Sequence, residues 1–342
     1  MLNGQSCFCY DGGGVLRRRV VFGKIHQRTA GMSVSPAEFT VFSQELYYDE
    51  SIRAIESFAD APRRRELHAQ IAEQLPYPSA AMKDRVASKI IQRFFVNAPS
   101  GSPLPSPPRN GEGVERATHS PLRGGLGRGE RAGSYPATAF LRLVAGVKRD
   151  DLRRDLLYWR AARTDAVIEA LAGELFYPHF VLGQIPQGYS EAEFHAANTA
   201  TLFSVDGVIT RDFAIEYARK VWEFDSPRTI ALALRIMRQA EVVDATSVVL
   251  GRRRVHGYYP LPHTPRVEAF AYCIYEEFLA EGPIVAIDQL RNSAFAKVFL
   301  LSGLQVDSLV KSAERKKLLA ADARHLRLTH GSLGELVEAL KA

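Results

Sequence analysis

Between Asn97 and Ala137 the chain holds 7 Pro and 8 Gly in 41 residues, out of 18 Pro and 25 Gly in all 342. Such a stretch cannot bury enough apolar surface to offset the entropy of ordering it. Disorder is expected there, and any folded body must be assembled from what lies on either side. The segment's halves, Ser102-Pro-Leu-Pro-Ser-Pro-Pro-Arg109 and Ser120-Pro-Leu-Arg-Gly-Gly-Leu-Gly127, look like the two arms of a translated inverted repeat. We read it as a mobile-element insertion into a surface loop, where closure entropy grows only logarithmically with length. A proline-rich partner ligand is the alternative.

A second unusual segment is Met1 to Gly31, a basic leader with Arg17, Arg18, Arg19, Lys24 and Arg28 against Asp11 alone, and with no helical or strand period. It ends before Met32-Ser-Val-Ser-Pro36, where a helix start appears, so Met32 is read as the functional start; the alternative is a disordered basic tail that is translated with the rest. The whole chain carries a formal charge of +6. The two odd segments account for ten basic and four acidic residues, which leaves 34 of each sign elsewhere. Net charge is therefore no argument for nucleic acid; only local clustering can be. No apolar run approaches the roughly 18–20 residues of a spanning helix. Three cysteines make no disulfide framework, and a cytoplasmic location is expected.

The remainder reads as mainly α. Ser35-Pro36-Ala37-Glu38 is a capping box opening a helix toward Tyr48. Further helices are expected over Asp49–Phe58, Arg63–Gln74, Ser79–Phe95, Asp150–Arg160 and Thr164–Phe176. In the fourth of this run, Met82, Val86, Ile90 and Phe94 form one stripe, with Lys83, Lys89 and Arg93 at polar positions. A solvated helix face accounts for those cations as well as a nucleic-acid contact does.

Ser190-Glu-Ala-Glu193 is another capping box, followed by a helix over Arg211–Trp222 and a third with Ser226 as N-cap and Pro227 at its first position. Ile230, Ala233, Leu234 and Met237 share one side of that third helix; Arg228, Leu232, Arg235, Arg238 and Gln239 take the other. The alternating Ser247-to-Tyr259 stretch, with Gly251 at its turn, reads as a β-hairpin. Seven Arg and only Glu241 and Asp244 lie between Arg228 and Arg266. Three helices and then a basic hairpin is the order of a winged helix-turn-helix, whose third helix can enter a major groove while the hairpin touches phosphates or the minor groove, although many such modules bind protein instead. The candidate nucleic-acid-binding residues are Arg228, Thr229, Arg235, Arg238, Arg252, Arg253 and Arg254, with Lys83, Lys89 and Arg93 as a second group.

The C-terminal part repeats the theme. Helices over Ile284–Leu290, Ser293–Leu300 and Val306–Lys317 precede strands near Leu318–Ala320 and His325–Thr329, and Ser332-Leu-Gly-Glu335 caps a last helix. Arg315, Lys316, Lys317, Arg324 and Arg327 make a further basic group, which the preference of helix C-termini for cations already explains. Domain boundaries are expected at 1–31, 32–182 (interrupted by 97–137), 183–266 and 267–342, giving a helical N-terminal domain followed by winged-helix-like modules with short β-hairpins. Catalytic motifs are missing: there is no Gly-x-Ser-x-Gly elbow, no complete phosphate-cradling loop and no zinc spacing among nine histidines. Neither catalysis nor a cofactor or metal is expected, and Cys273, set among apolar residues, reads as a structural thiol.

Taken in order, several segments resemble the BrxA family, a helical component of bacterial BREX phage-exclusion systems. They are the Ser35-to-Tyr48 helix, Ala87-Ser-Lys-Ile-Ile-Gln-Arg-Phe94, Leu156-Leu-Tyr-Trp-Arg-Ala161, Asp225-Ser-Pro-Arg-Thr-Ile230 with Met237-Arg-Gln-Ala-Glu-Val-Val243, Phe295-Ala-Lys-Val-Phe-Leu-Leu301 and Ser332-Leu-Gly-Glu-Leu-Val337. The resemblance covers most of residues 34–341 outside the insertion. It implies a non-catalytic accessory role in phage defence, with double-stranded DNA and other defence-system subunits as partners. The family has also been catalogued as an inner-membrane one, which the lack of a spanning segment opposes. The leader and the insertion depart from the family pattern. The alternative function is a protein-interaction scaffold that does not touch nucleic acid.

Overall fold

Eight consecutive residues, Asp155 to Ala162, are buried in the helix α5 (Asp150–Thr164). A helix covered on every side is a central one, and described helices before and after it in sequence pack against it. The computed structural model describes residues 9–10, 16–17, 47–59, 64–95, 138–198, 208–250 and 253–341. Residues 1–43 and 44–342 are separate compact units. In the first, β1 (Cys9–Tyr10) pairs antiparallel with β2 (Leu16–Arg17); two residues a side is too short to leave a period in the sequence. The Ser35 capping box and the 97–137 insertion lie outside the described residues.

The second unit is mainly helical, with two small antiparallel sheets. Helices α1 (Tyr48–Phe58), α2 (Arg64–Gln74), α3 (Ala80–Ile90) and α4 (Thr138–Gly146) lead into α5. The expected stripe holds: Val86, Ile90 and Phe94 are buried and Met82 packs against the core. The expected Thr164–Phe176 helix is present from Ala166 and runs on to Phe180 through a π-helical turn. Asp165 stops α5, and its carboxylate accepts from Val167 N–H (3.1 Å) to start α6 (Ala166–Ala170). A π-helical turn, Leu171–Phe176, then joins α6 to α7 (Tyr177–Phe180).

Two modules of one topology follow. The first runs α8 (Glu191–Asn198), β3 (Ile209–Thr210), α9 (Arg211–Val221), α10 (Pro227–Gln239), β4 (Val243–Leu250) and β5 (Arg253–Pro260), with strand order β3-β5-β4. The second runs α11 (Val267–Phe278), β6 (Ile284–Ala286), α12 (Ile287–Arg291) with α13 (Ala294–Val298), α14 (Gly303–Arg315), β7 (Leu319–Ala321) and β8 (His325–Leu328), with order β6-β8-β7. A last helix, α15 (Leu333–Lys341), closes the chain.

The modules are in register. Val267 follows Glu191 by 76 positions, Gly303 follows Pro227 by 76, and Leu319 follows Val243 by 76. The third helices are each 13 residues long and both end in a Schellman motif. Val242 N–H donates to Met237 O (3.1 Å) and Leu318 N–H to Ala313 O (3.0 Å). The left-handed residue is Glu241 (φ 59°) in one and Lys317 (φ 58°) in the other. The hairpins differ: β4 and β5 are eight residues each, β7 and β8 three and four.

One hydrophobic core runs from Tyr47 to Val337 through both modules. The boundaries expected after 182 and 266 fall inside this unit, and the core is continuous across them. The physical reason is that α6 packs on α10 and α5 on α11, so each module covers part of the helical framework.

Candidate nucleic-acid interface

The first module is fastened from below. Thr210 caps α9 by accepting from Phe213 N–H (3.1 Å). Phe213 packs edge-on against Phe194 (5.1 Å between ring centroids) and Tyr217 edge-on against Trp222 (5.3 Å). The Trp222 indole N–H donates to Glu174 Oε2 (2.6 Å). Burial pushes the Glu174 carboxyl up from its ordinary value, against the opposing effect of that hydrogen bond. Arg154 of α5 pairs with Glu241, which holds the end of α10 to the framework.

On α10 the expected apolar side is present: Ile230, Ala233, Leu234 and Met237 are buried. Ile236 is buried too, because α6 covers a second side of the helix. The opposite face expected to be free is therefore narrower. Arg228 and Arg238 are exposed, while Arg235, Leu232 and Thr229 are half-buried. Ser226 caps through its carbonyl, which accepts from Thr229 and Ile230 N–H, and its hydroxyl bonds the Thr229 hydroxyl (2.8 Å) instead of the expected backbone donor. Arg238 sits 3.3 Å from Asp244, which also accepts from the Tyr259 hydroxyl (3.0 Å). Burial tends to raise the Asp244 carboxyl, but the Ala245 N–H, Tyr259 and Arg238 outweigh it and hold it below the usual carboxylate range.

The hairpin is longer than expected. Its β4 strand starts at Val243, and Arg253 and Arg254 open β5 opposite Leu250 and Val249. Arg252 and Gly251 lie outside the described residues. The second group of candidates does not assemble. Lys83 is half-exposed, and Lys89 lies over the Tyr47 ring (5.9 Å). Arg93 is buried, with Nη2 3.7 Å from Asp165 Oδ2, and is not available as a surface cation. A π-helical turn over Ile91–Phe95 adds a residue to the helix and swings Arg93 inward.

Sequence reasoning missed the tie at Glu276. Its carboxylate accepts from the Trp159 indole N–H (2.5 Å) and Arg160 Nη1 (2.8 Å), joining α5 to α11. Nothing local marks a pair separated by more than a hundred residues. Cys273 is buried and its thiol is pushed well up by burial, as suits a packed thiol. Among the described residues no group of three or more His, Cys, Asp or Glu side chains is placed to hold a metal. An open hollow of about 430 Å³ lies between α1 and α5, lined by Tyr48, Asp49, Ile52, Arg53, Asp150 and Arg153. No single described helix is long and apolar enough to cross a membrane. The one pair that passes by composition, Ile287–Val298 with Gly303–Arg315, is bent by 101° and forms the helix-turn-helix of the second module.

Comparison with family models, with curated proteins and with solved structures gave no match.

Proposed function

We propose that this chain is a non-catalytic, double-stranded-DNA-binding accessory protein of a bacterial phage-defence system of the BREX type, acting in the cytoplasm beside other defence subunits. The observation that supports it is the winged-helix order from α8 to β5: a helix, a strand, two helices and a hairpin, with sheet order β3-β5-β4 and an arginine-bearing third helix, α10. In this arrangement the ends of α10, at Arg228 and Arg238, meet the duplex, and the hairpin, whose second strand opens at Arg253, reaches its backbone. The defence setting rests on the segments that resemble BrxA.

The test is fluorescence anisotropy of a labelled duplex across a salt series. Micromolar or tighter binding at low salt, with log affinity falling linearly as log salt rises, is the expected result. No binding of duplex DNA at low salt overturns the reading. A scaffold role is the second reading, favoured by the packing of α10 on α6, which leaves that helix less open than a groove-reading helix usually is.

A further inference from the structure

The second module differs from the first in which part of it is open. Along α14, Leu304, Ser308, Lys311 and Arg315 are all exposed and share one helix face, while Val306, Leu309, Val310 and Ala313 are buried. The helices that pack on α14, α11 and α12, leave this face exposed. Lys311 and Arg315 continue into Lys317 at the left-handed turn, and Arg324 and Arg327 follow on the short hairpin. All five are exposed, and none forms an ion pair among the described residues.

The hairpin is near the helix end. Ala321 N–H donates to Glu314 Oε1 (3.4 Å), and β7 is only three residues, or about 10 Å, long. The acids in the patch are engaged locally: Glu314 by that bond, and Asp322 by the backbone N–H groups of Arg324 (2.7 Å) and His325 (2.8 Å). Attraction to the helix C-terminus accounts for Arg315, but it falls off within one turn and does not reach Arg324 in the hairpin turn or Arg327 on β8. The start of α14, by contrast, is ill suited to reading bases. Leu304 is 82% exposed, Gln305 is used in a capping box with Ser302, and Asp307 is held by Arg291 Nη2 at 2.8 Å.

We propose that residues 303–328 form a second duplex-DNA contact, one that grips phosphates through Lys311, Arg315, Lys317, Arg324 and Arg327 and reads no sequence. This extends the proposed function and rests on it for the ligand. The two modules then divide the work, with the short second wing clamping the backbone beside the first.

The test uses the full chain carrying Lys311→Ala, Arg315→Ala, Lys317→Ala and Arg324→Ala together, with a labelled duplex of arbitrary sequence. The expected result is binding about tenfold or more weaker near physiological salt, with the slope of log affinity against log salt reduced by about 3.6 units. The loss should be equal for duplexes of different sequence. Wild-type affinity and slope in the folded variant overturn the inference and leave the proposed function standing. Failure of the wild-type chain to bind duplex at all overturns both. Loss of binding to phosphatidylserine vesicles, with duplex binding intact, overturns it in favour of a lipid-facing patch. If the fourfold variant does not fold, Lys317→Gly serves alone, since glycine suits that backbone; it should lower the slope by about one unit.

Discussion

At the scale of single residues, the strongest constraints are buried charges that bridge distant elements. Glu276 sits between Trp159 and Arg160, whose side chain is only 2% exposed. Removing the carboxylate takes a charged partner away from a buried guanidinium, which typically costs about 3–5 kcal/mol. Glu276→Ala should lose that much stability in urea unfolding; a loss under 1 kcal/mol would mean that water reaches Arg160. Asp151 makes a pH-dependent tie. Burial raises its carboxyl, but Arg266, Arg149 and the Leu152 N–H outweigh this and bring it down from 3.8 to about 2. Its stabilisation is present above about pH 4 and is lost as pH falls toward 2. The gap in melting temperature between the wild type and Asp151→Asn should be widest at neutral pH and close over that acid range. Neither tie is visible in the sequence, because each joins residues more than a hundred positions apart.

At the scale of elements, the starts of helices were legible and their surroundings were not. Ser190 and Glu193 form the capping box that their spacing announces, with Ser190 N–H donating to Glu193 Oε2 (2.8 Å). Ser332 likewise accepts from Glu335 N–H (3.2 Å). Such contacts span three residues, so composition and spacing suffice to find them. The burial of Ile236 and Arg93 depends on α6 and on a π turn, which no local period encodes. The two- and three-residue strands β3 and β6 are set by their partners in the sheet rather than by propensity. The equivalent turns at Glu241 and Lys317 offer a controlled comparison. Both hold a side chain in the left-handed region, where glycine relieves about 1 kcal/mol. Lys317→Gly should therefore stabilise by up to that amount. Glu241→Gly should gain less, because it also loses the Arg154 pair. Equal gains in denaturant unfolding would show that the Arg154–Glu241 pair contributes nothing.

At the scale of the whole molecule, the question is whether the framework needs the chain between 97 and 137. The described residues on either side meet in the core: the Phe94 and Phe140 rings stack 6.4 Å apart at 14°, and Phe140 also lies beside Tyr272 of α11. The two ends of the segment are therefore held near each other by burial that belongs to the surrounding helices. Closing a shorter connection between them changes the entropy of the unfolded chain by only a logarithm of the length removed, well under the cost of losing one buried aromatic contact. Replacing residues 97–137 by a short glycine–serine bridge should leave the melting temperature within a few degrees of the wild type and leave duplex binding unchanged. Differential scanning calorimetry and the same anisotropy titration check both halves. A fall of ten degrees or more would show that the segment contributes packing of its own. Unchanged stability with lost DNA affinity would instead place part of the binding surface on its five arginines, Arg109, Arg116, Arg123, Arg128 and Arg131.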